Sequence, residues 1–471
     1  MLWNGAGKVG GHLVQIAATV VLARILVPDD FGLLAMVALV TGFGTLFTDM
    51  GLGAALVQQR PLLETHRSTV FWFTLGVGLS FMIVVAAAAP LLAWFFGRPA
   101  LTLLTQAMAL QLVLVAAGTT PRSMLIRGMR FRAFAATEFV AVSAGAIAAI
   151  ALAFSGAGAW ALVAQVLVAS ATGTAMAFLM ARWRPTGMPD RQALRDLIPF
   201  SSHLTGFAFV NYWARNADNL LIGRVLGSGQ LGLYGIAYNL MYLPLQQVSA
   251  IVGQVMFPLL AELRSEPERR RRIAGASIQL TTLMTAPILV LMAATGPEIA
   301  SALFGSVWER AGFLLQALSV AGIAQVMVIT TGWIYQSVGR TDVMFRWGLV
   351  SAIVVAAAVV LGLRWEVEGV AVAYALASWA LALPALLIAG ALVDLHLDDL
   401  VRLLWPPLLA LGVMAAAARI IRGLVTEAGL SDPALLLIVI PASGLVYLIT
   451  LAWLRPPSMM LALSLLRGSR L

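Results

Sequence analysis

Apolar segments of about 20 residues recur along the whole chain and are separated by short polar segments. A helix of that length crosses the hydrocarbon core of a bilayer. The pattern predicts fourteen transmembrane helices, at roughly 5–27, 32–56, 69–96, 100–118, 134–155, 158–181, 200–226, 231–257, 274–296, 311–335, 344–363, 368–392, 404–422 and 434–454. Since every connecting segment is short, no soluble domain fits between them. We therefore predict an all-α polytopic membrane protein.

Two segments that lie 200 residues apart carry the same signature, LARILVPDDFGLLAM from Leu22 and IGRVLGSGQLGLYGI from Ile222. Arg24 aligns with Arg224 at this offset. The offset covers six predicted spans, an even number, so both copies enter the membrane in the same direction. Parallel repeats of this kind are typical of transporters. We predict two pseudo-symmetric six-helix lobes, at 1–198 and 199–400, followed by two additional helices and a tail at 401–471.

The charged residues are sorted by loop. The chain is 61% hydrophobic and 11% charged, with a net charge of +9. If the N-terminus is cytoplasmic, the inner segments hold 22 of the basic residues and the outer segments hold five. This bias follows the positive-inside rule and favours cytoplasmic termini. The Arg269–Arg272 run is then an orientation signal and a contact for lipid headgroups, and we expect no nucleic-acid partner.

Composition excludes several kinds of chemistry. The chain has no Cys, which removes disulfides, thiolate metal ligands and cysteine nucleophiles. Its four His are scattered without metal-ligand spacing. No Gly-rich phosphate loop of the ATPase type is present. We therefore expect no metal, no cofactor and no catalytic residue, and we expect that the protein is not an enzyme.

Polar residues form a stripe along one face of the first span and of the seventh. At 100° per residue, the first set falls within an arc of about 80° and the second within a comparable arc. The first set is Asn4, Lys8, His12, Gln15 and Thr19, and the second is Asn211, Arg215, Asp218 and Asn219. At the 200-residue offset Gln15 aligns with Arg215. Two such faces would line a hydrated cationic cavity, and we predict Lys8, His12, Gln15, Asn211, Arg215 and Asn219 as its substrate-binding residues.

Other roles for the intramembrane polar residues stay open. The uncharged stripe residues could instead bond helix to helix. Asp218 follows Arg215 by three residues, so it either pairs with that arginine or takes part in proton coupling. Asp49 is a second candidate for coupling or for pairing. Arg24 and Arg224 lie more than about 100° away from the stripes, near the outer helix ends, where they would hold the following loop or act as a gate.

Two segments resemble a known family. LARILVPDDFGLLAMVALVTGFGTLFTDMGLGAALVQQ (Leu22–Gln59) and RNADNLLIGRVLGSGQLGLYGIAYNLMYLPLQQVSAIVGQVMFPLLAELR (Arg215–Arg264) resemble the beginnings of the two lobes of bacterial polysaccharide flippases. These form the Wzx-like branch of the multidrug/oligosaccharidyl-lipid/polysaccharide exporter superfamily. The resemblance implies alternating access and export of a polyprenyl-pyrophosphate-linked oligosaccharide to the outer leaflet of the bacterial cytoplasmic membrane.

The resemblance also implies binding partners, and two alternative functions stay open. The expected partners are the lipid-linked oligosaccharide and membrane lipids, with polysaccharide polymerase machinery as a candidate, and we expect a monomer. One rival is a multidrug/cation antiporter of the same superfamily, which would favour acidic cavity faces over these basic stripes. The other is a membrane polymerase or glycosyltransferase, which needs a substantial outer loop. The longest predicted outer loop, at about 296–310, carries only Glu298, Glu309 and Arg310.

Overall fold

The computed structural model describes residues 2–59, 61–263 and 266–455, except for the side chains of residues 2–9, 49, 196–211 and 214. The described chain is helical throughout and contains no strand. Its helices are α1 (Leu2–Ile25), α2 (Pro28–Asp49), α3 (Leu52–Gln58), α4 (Glu64–Phe96), α5 (Leu101–Arg127), α6 (Phe131–Phe154), α7 (Ala159–Ala181), α8 (Arg191–Leu226), α9 (Ser228–Glu262), α10 (Pro267–Phe304), α11 (Glu309–Val328), α12 (Thr331–Val338), α13 (Thr341–Gly362), α14 (Glu366–Gly390), α15 (Leu397–Glu427) and α16 (Asp432–Leu454).

The prediction of about fourteen membrane helices is confirmed. Each predicted span coincides with one of these helices or with a consecutive pair of them. Eleven segments of the described chain are long and apolar enough to cross a membrane, one of which joins α13 and α14, and α1 contributes a shorter apolar helix at Gly10–Ile25. The protein is therefore a multi-pass membrane protein.

Two predicted spans are each divided into two helices. The second span breaks between α2 and α3 because Met50 and Gly51 adopt left-handed conformations, with φ of 46° and 70°. The Nη1 atom of Arg127, at the end of α5, donates to the α3 carbonyl oxygens of Leu56 and Val57 at 2.7 and 3.0 Å. These bonds satisfy carbonyl groups that the end of a short helix leaves unpaired. The tenth span is likewise divided into α11 and α12.

The chain forms two compact units, residues 1–232 and 233–471. The repeat-based boundaries at 198/199 and 400/401 concern the sequence duplication and stay a prediction. In the first unit α1 packs on α6, α6 on α7, and α4 and α7 on α5. Small residues permit these close crossings: a Cβ at Gly145 of α6 would lie 2.5 Å from the Gln165 carbonyl oxygen of α7.

The segment between α7 and α8 is bound along the beginning of α4. The Trp183 Nε1 donates to Glu64 at 2.7 Å, and the Trp72 Nε1 donates to the Gly187 carbonyl oxygen at 3.1 Å. The Asp190 backbone N–H then donates to the Thr69 hydroxyl at 2.8 Å. These contacts hold the segment against the first unit up to the first residue of α8.

In the second unit the last two helices are attached to α10. Arg271 pairs with Asp399 at 2.6 Å, and the Gln279 amide donates to the Leu403 carbonyl oxygen at 2.5 Å. The Tyr447 hydroxyl donates to the Leu283 carbonyl oxygen at 2.9 Å. A backbone N–H from His396 and the Arg271 guanidinium both donate to the Asp399 carboxylate. The two added helices are therefore an integral part of this unit.

Candidate functional site

Gln15 of the α1 stripe shares a helix face with a buried residue. Gln15 and Leu22 are separated by seven residues, so their side chains point within about 20° of each other. Leu22 is 1% exposed, packed against Ala149 and Ala153 of α6. Gln15 and His12, about two and three turns before Leu22, are nevertheless exposed. The packing that covers Leu22 therefore does not extend to Gln15 and His12, whose polar side chains remain exposed.

Helix α8 repeats this arrangement. Arg215 precedes Ile222 by the same seven residues and therefore shares its face, again within about 20°. Ile222 is 0% exposed, whereas Arg215 is exposed. Asn219, between them, is half-buried, as its counterpart Thr19 is on α1.

The burial of the two helices agrees at six equivalent positions along the face that carries the stripe and its opposite side. Equivalent residues share the same burial class at 15 and 215, 18 and 218, 19 and 219, 22 and 222, 23 and 223, and 24 and 224. Position 18 holds Ala on α1, whereas position 218 holds an aspartate that is only 8% exposed. The duplicated sequence signature therefore corresponds to a duplicated local environment, with one buried carboxylate added in the second copy.

Hydrogen bonds fix the stretch of α8 around Arg215. The Tyr212 hydroxyl donates to the Leu39 carbonyl oxygen of α2 at 2.8 Å. The Asn216 amide donates to the Tyr212 carbonyl oxygen at 2.8 Å, and the Asn219 backbone N–H donates to the Asp218 carboxylate at 2.8 Å. Tyr212 thus anchors on α2 the turn of α8 that presents Arg215.

Three predicted site residues have side chains outside the described part of the structure. They are Lys8, Asn211 and Asp49. Their roles, and the pairing of Asp218 with Arg215, stay predictions.

Arg24 and Arg224 lie on the opposite side of their helices from the stripes. Each is two residues beyond the buried Leu22 or Ile222, which is a rotation of about 200°. Both side chains are exposed. The Arg224 guanidinium lies 5.4 Å from the centroid of the Phe95 ring, a cation–π contact with the end of α4. This contact favours the structural role for Arg224.

The two copies of the repeat touch at the beginnings of α2 and α9. A Cβ at Gly32 would overlap the Ser228 carbonyl oxygen, and a Cβ at Gly232 would overlap the Pro28 carbonyl oxygen. Pro28 and Ser228 are also 200 residues apart. The crossing is therefore symmetric, with the glycine of each copy facing the first residue of the other helix. The 200-residue offset also aligns Gly32 with Gly232, but nothing in the sequence predicted that they meet.

Asp29 joins the same crossing to the end of α4. Its carboxylate oxygen Oδ1 accepts hydrogen bonds from Arg98 at 3.0 Å and from the Ser228 hydroxyl. The carboxylate also lies in the first turn of α2, where the positive end of the helix dipole stabilises its negative charge. The role of Asp29 was not predicted from the sequence. The available signal was an acidic residue three positions before the duplicated Gly32.

No group of three or more His, Asp or Glu side chains that could hold a metal ion occurs in the part of the chain that the structure describes.

Comparison with known proteins identifies the family. Residues 21–312 match the family described as polysaccharide biosynthesis protein. The succinoglycan biosynthesis transport protein ExoT of Rhizobium meliloti is 30% identical over 76% of this chain and 73% of its own length. The lipopolysaccharide biosynthesis protein WzxC of Escherichia coli is 24% identical over 75% of this chain and 72% of its own length.

Solved structures show the same fold. The lipid II flippase MurJ, in an inward closed conformation, superposes with a TM-score of 0.74 at 14% identity, covering 97% of this chain and 99% of its own. An inward-facing multidrug resistance MATE family transporter of the MOP superfamily superposes with a TM-score of 0.64 at 14% identity, covering 82% of this chain and 94% of its own. The sequence matches confirm the resemblance of Leu22–Gln59 and Arg215–Arg264 to Wzx-like proteins. The chain belongs to the family described as polysaccharide biosynthesis protein.

Proposed function

We propose that this protein flips a polyprenyl-pyrophosphate-linked oligosaccharide from the inner to the outer leaflet of the bacterial cytoplasmic membrane by alternating access. The observation that carries the proposal is the pair of exposed polar positions, Gln15 and Arg215, on the faces of equivalent helices that bury Leu22 and Ile222. A glycan-bearing head group needs such a surface within a membrane protein, because polar groups are costly in hydrocarbon. Family membership supports a role in polysaccharide biosynthesis.

In this proposal the basic stripe residues bind the charged group of the substrate, and the other stripe residues form hydrogen bonds with its sugars. Arg215 and Lys8 would neutralise the pyrophosphate, which lowers the cost of removing it from water. Gln15, His12, Asn211 and Asn219 would bond to sugar hydroxyl groups, while the polyprenyl chain stays in lipid.

The membrane potential is a sufficient energy source for this transport. Moving one charge across it is worth about 2.3 kcal/mol per 100 mV, so a dianion leaving a negative interior gains roughly 4–5 kcal/mol. No coupled cation is then required.

The rival antiporter function fits the site less well. A site for cationic drugs favours acidic and aromatic surfaces, whereas the stripe positions carry Lys8 and Arg215 against one stripe carboxylate, Asp218. A polymerase or glycosyltransferase has less support, because the outer segment at 296–310 holds only three charged residues. A polymerase partner and a monomeric state remain part of the proposal.

A reconstituted flipping assay tests the function. Purified protein in vesicles loaded with a fluorescent polyprenyl-pyrophosphate oligosaccharide should expose the glycan to an added glycosidase faster than protein-free vesicles do. A potential that drives anions in that direction should accelerate the exposure. Transport of organic cations by the same vesicles, with no glycan exposure, would favour the antiporter.

Single-cysteine labelling tests the proposed topology, and the chain has no native Cys to interfere. We expect cytoplasmic termini and cytoplasmic loops at 58–68, 119–133, 182–198 and 261–273. Glu266→Cys should then react with a membrane-impermeant maleimide only after the cells are opened, and Arg364→Cys should react in intact cells. Labelling of Glu266→Cys in intact cells would contradict this orientation.

A further inference from the structure

A trough lies in the second unit between α10, α11, α14 and α15. Its volume is about 680 Å³, within the range of small-molecule sites. Along most of its length the lining is apolar, and Ala293, Ala294, Ala415 and Ala416 leave the space that larger side chains would fill. The trough therefore exists because the added helix α15 packs beside α10 through small residues.

The trough opens on a surface that carries exposed apolar side chains. Phe313 and Val320 of α11 and Val372 of α14 are 44%, 40% and 41% exposed. All three belong to segments long and apolar enough to cross a membrane. An apolar trough that opens on such a surface is complementary to a flexible hydrocarbon chain.

Two arginines of α15 line one end of the trough. Arg422 Nε donates to Glu298 at 2.6 Å, and this carboxylate is 8% exposed. Arg419, three residues earlier and therefore on the same side of α15, is exposed. Among the described residues no carboxylate pairs with Arg419. With two guanidinium groups and one carboxylate, this end of the trough has a net charge of about +1.

Arg419 can be compared with the other arginines in the predicted outer segments by asking whether a carboxylate pairs with each. Arg98 pairs with Asp29, and Arg310 pairs with Glu366 and Glu368. Only Arg364 resembles Arg419 in having no carboxylate partner among the described residues, and Arg364 does not line the trough.

We propose that this trough binds an anionic phospholipid, with one acyl chain along the alanines and the phosphodiester on Arg419 and Arg422. A single phosphodiester charge matches the net charge at this end. A zwitterionic lipid would add an ammonium group beside two guanidinium groups, which is unfavourable. The site is separate from the polar stripes and does not depend on the proposed function.

Native mass spectrometry of the purified full-length protein tests the site, with phosphatidylglycerol and phosphatidylcholine of identical chains as probes. Phosphatidylglycerol should be retained about fivefold more strongly. This ratio corresponds to the attraction of about 1 kcal/mol that one basic residue has for a lipid with a net negative charge. Arg419→Gln should abolish this preference, and Arg419→Lys should keep most of it because the charge remains. Ala416→Trp, which fills the trough, should weaken retention of both lipids. Arg364→Gln is the matched control and should behave as the unaltered protein.

Several results would overturn the proposal. Equal retention of the two lipids would do so, as would an Arg419→Gln variant that elutes as a monodisperse protein and keeps its preference. Loss of the preference in Arg419→Lys would show that charge is not what the site recognises. If a polyprenyl phosphate displaces phosphatidylglycerol in an Arg419-dependent manner, the occupant is a polyprenyl lipid and the phospholipid assignment is wrong.

Discussion

Arg215→Ala should abolish export of the lipid-linked glycan and leave the amount of folded protein near normal. Arg215 is exposed on the face of α8 that buries Ile222, so an anion can approach its side chain. A hydrogen bond to a charged group contributes about 1.5–3 kcal/mol, so its loss should slow export at least about tenfold. Arg215→Lys should retain part of the activity, since a point charge remains but the bidentate geometry is lost. Export is measured by surface glycan and by vesicle flipping.

The structural alternative predicts a different pattern for the same variant. If Arg215 chiefly compensates Asp218, then Arg215→Ala leaves a buried carboxylate uncompensated and reduces the amount of folded protein. Asp218→Asn should then restore the level, and the double variant should transport. Arg195→Ala is the matched control, because it removes an exposed arginine from the first turn of the same helix. Normal export by a well-folded Arg215→Ala protein would end the proposal that this residue binds pyrophosphate.

The helices could be predicted from the sequence because each is a long apolar run, and the bilayer sets its length. The division between α6 and α7 was also correct, since Gly156 and Gly158 adopt positive φ there. The break between α2 and α3 was missed. Met50 adopts a left-handed conformation at that point. Because methionine is not a residue type typical of turns, its local propensity did not indicate the break.

The helix faces that carry the site residues follow from the sequence, whereas the contacts that anchor them do not. A period of 3.6 residues places Gln15 and Arg215 on definite faces, and the burial of Leu22 and Ile222 shows that these faces point into protein. The bond from Tyr212 to Leu39 and the bond from Ser228 to Asp29 join residues 173 and 199 positions apart. Such pairs depend on how helices cross, which no local pattern encodes.

Gly232→Ala should destabilise the protein strongly, because the crossing of α2 and α9 leaves no space for a side chain. The new Cβ would overlap the Pro28 carbonyl oxygen and lie 3.0 Å from the Gly32 nitrogen. Backbone atoms cannot move aside as a flexible side chain can, so the helices must separate. Overpacking of this kind costs typically about 1–3 kcal/mol or more. A thermal unfolding series in detergent, followed by the loss of the monodisperse gel-filtration peak, measures the effect.

Gly229→Ala is the control that isolates the crossing. Gly229 lies in the same turn of α9, and a Cβ there would meet nothing within 4 Å. Its substitution should be neutral or stabilise the helix by up to about 1 kcal/mol. Gly32→Ala should reproduce the effect of Gly232→Ala, because its Cβ would overlap the Ser228 carbonyl oxygen in the symmetric position. If Gly232→Ala and Gly229→Ala unfold at the same temperature, the helices do not cross as closely as this structure shows. If Gly32→Ala and Gly232→Ala both lose stability while Gly229→Ala does not, the result would show that the close packing of the two copies of the repeat requires glycine at both positions.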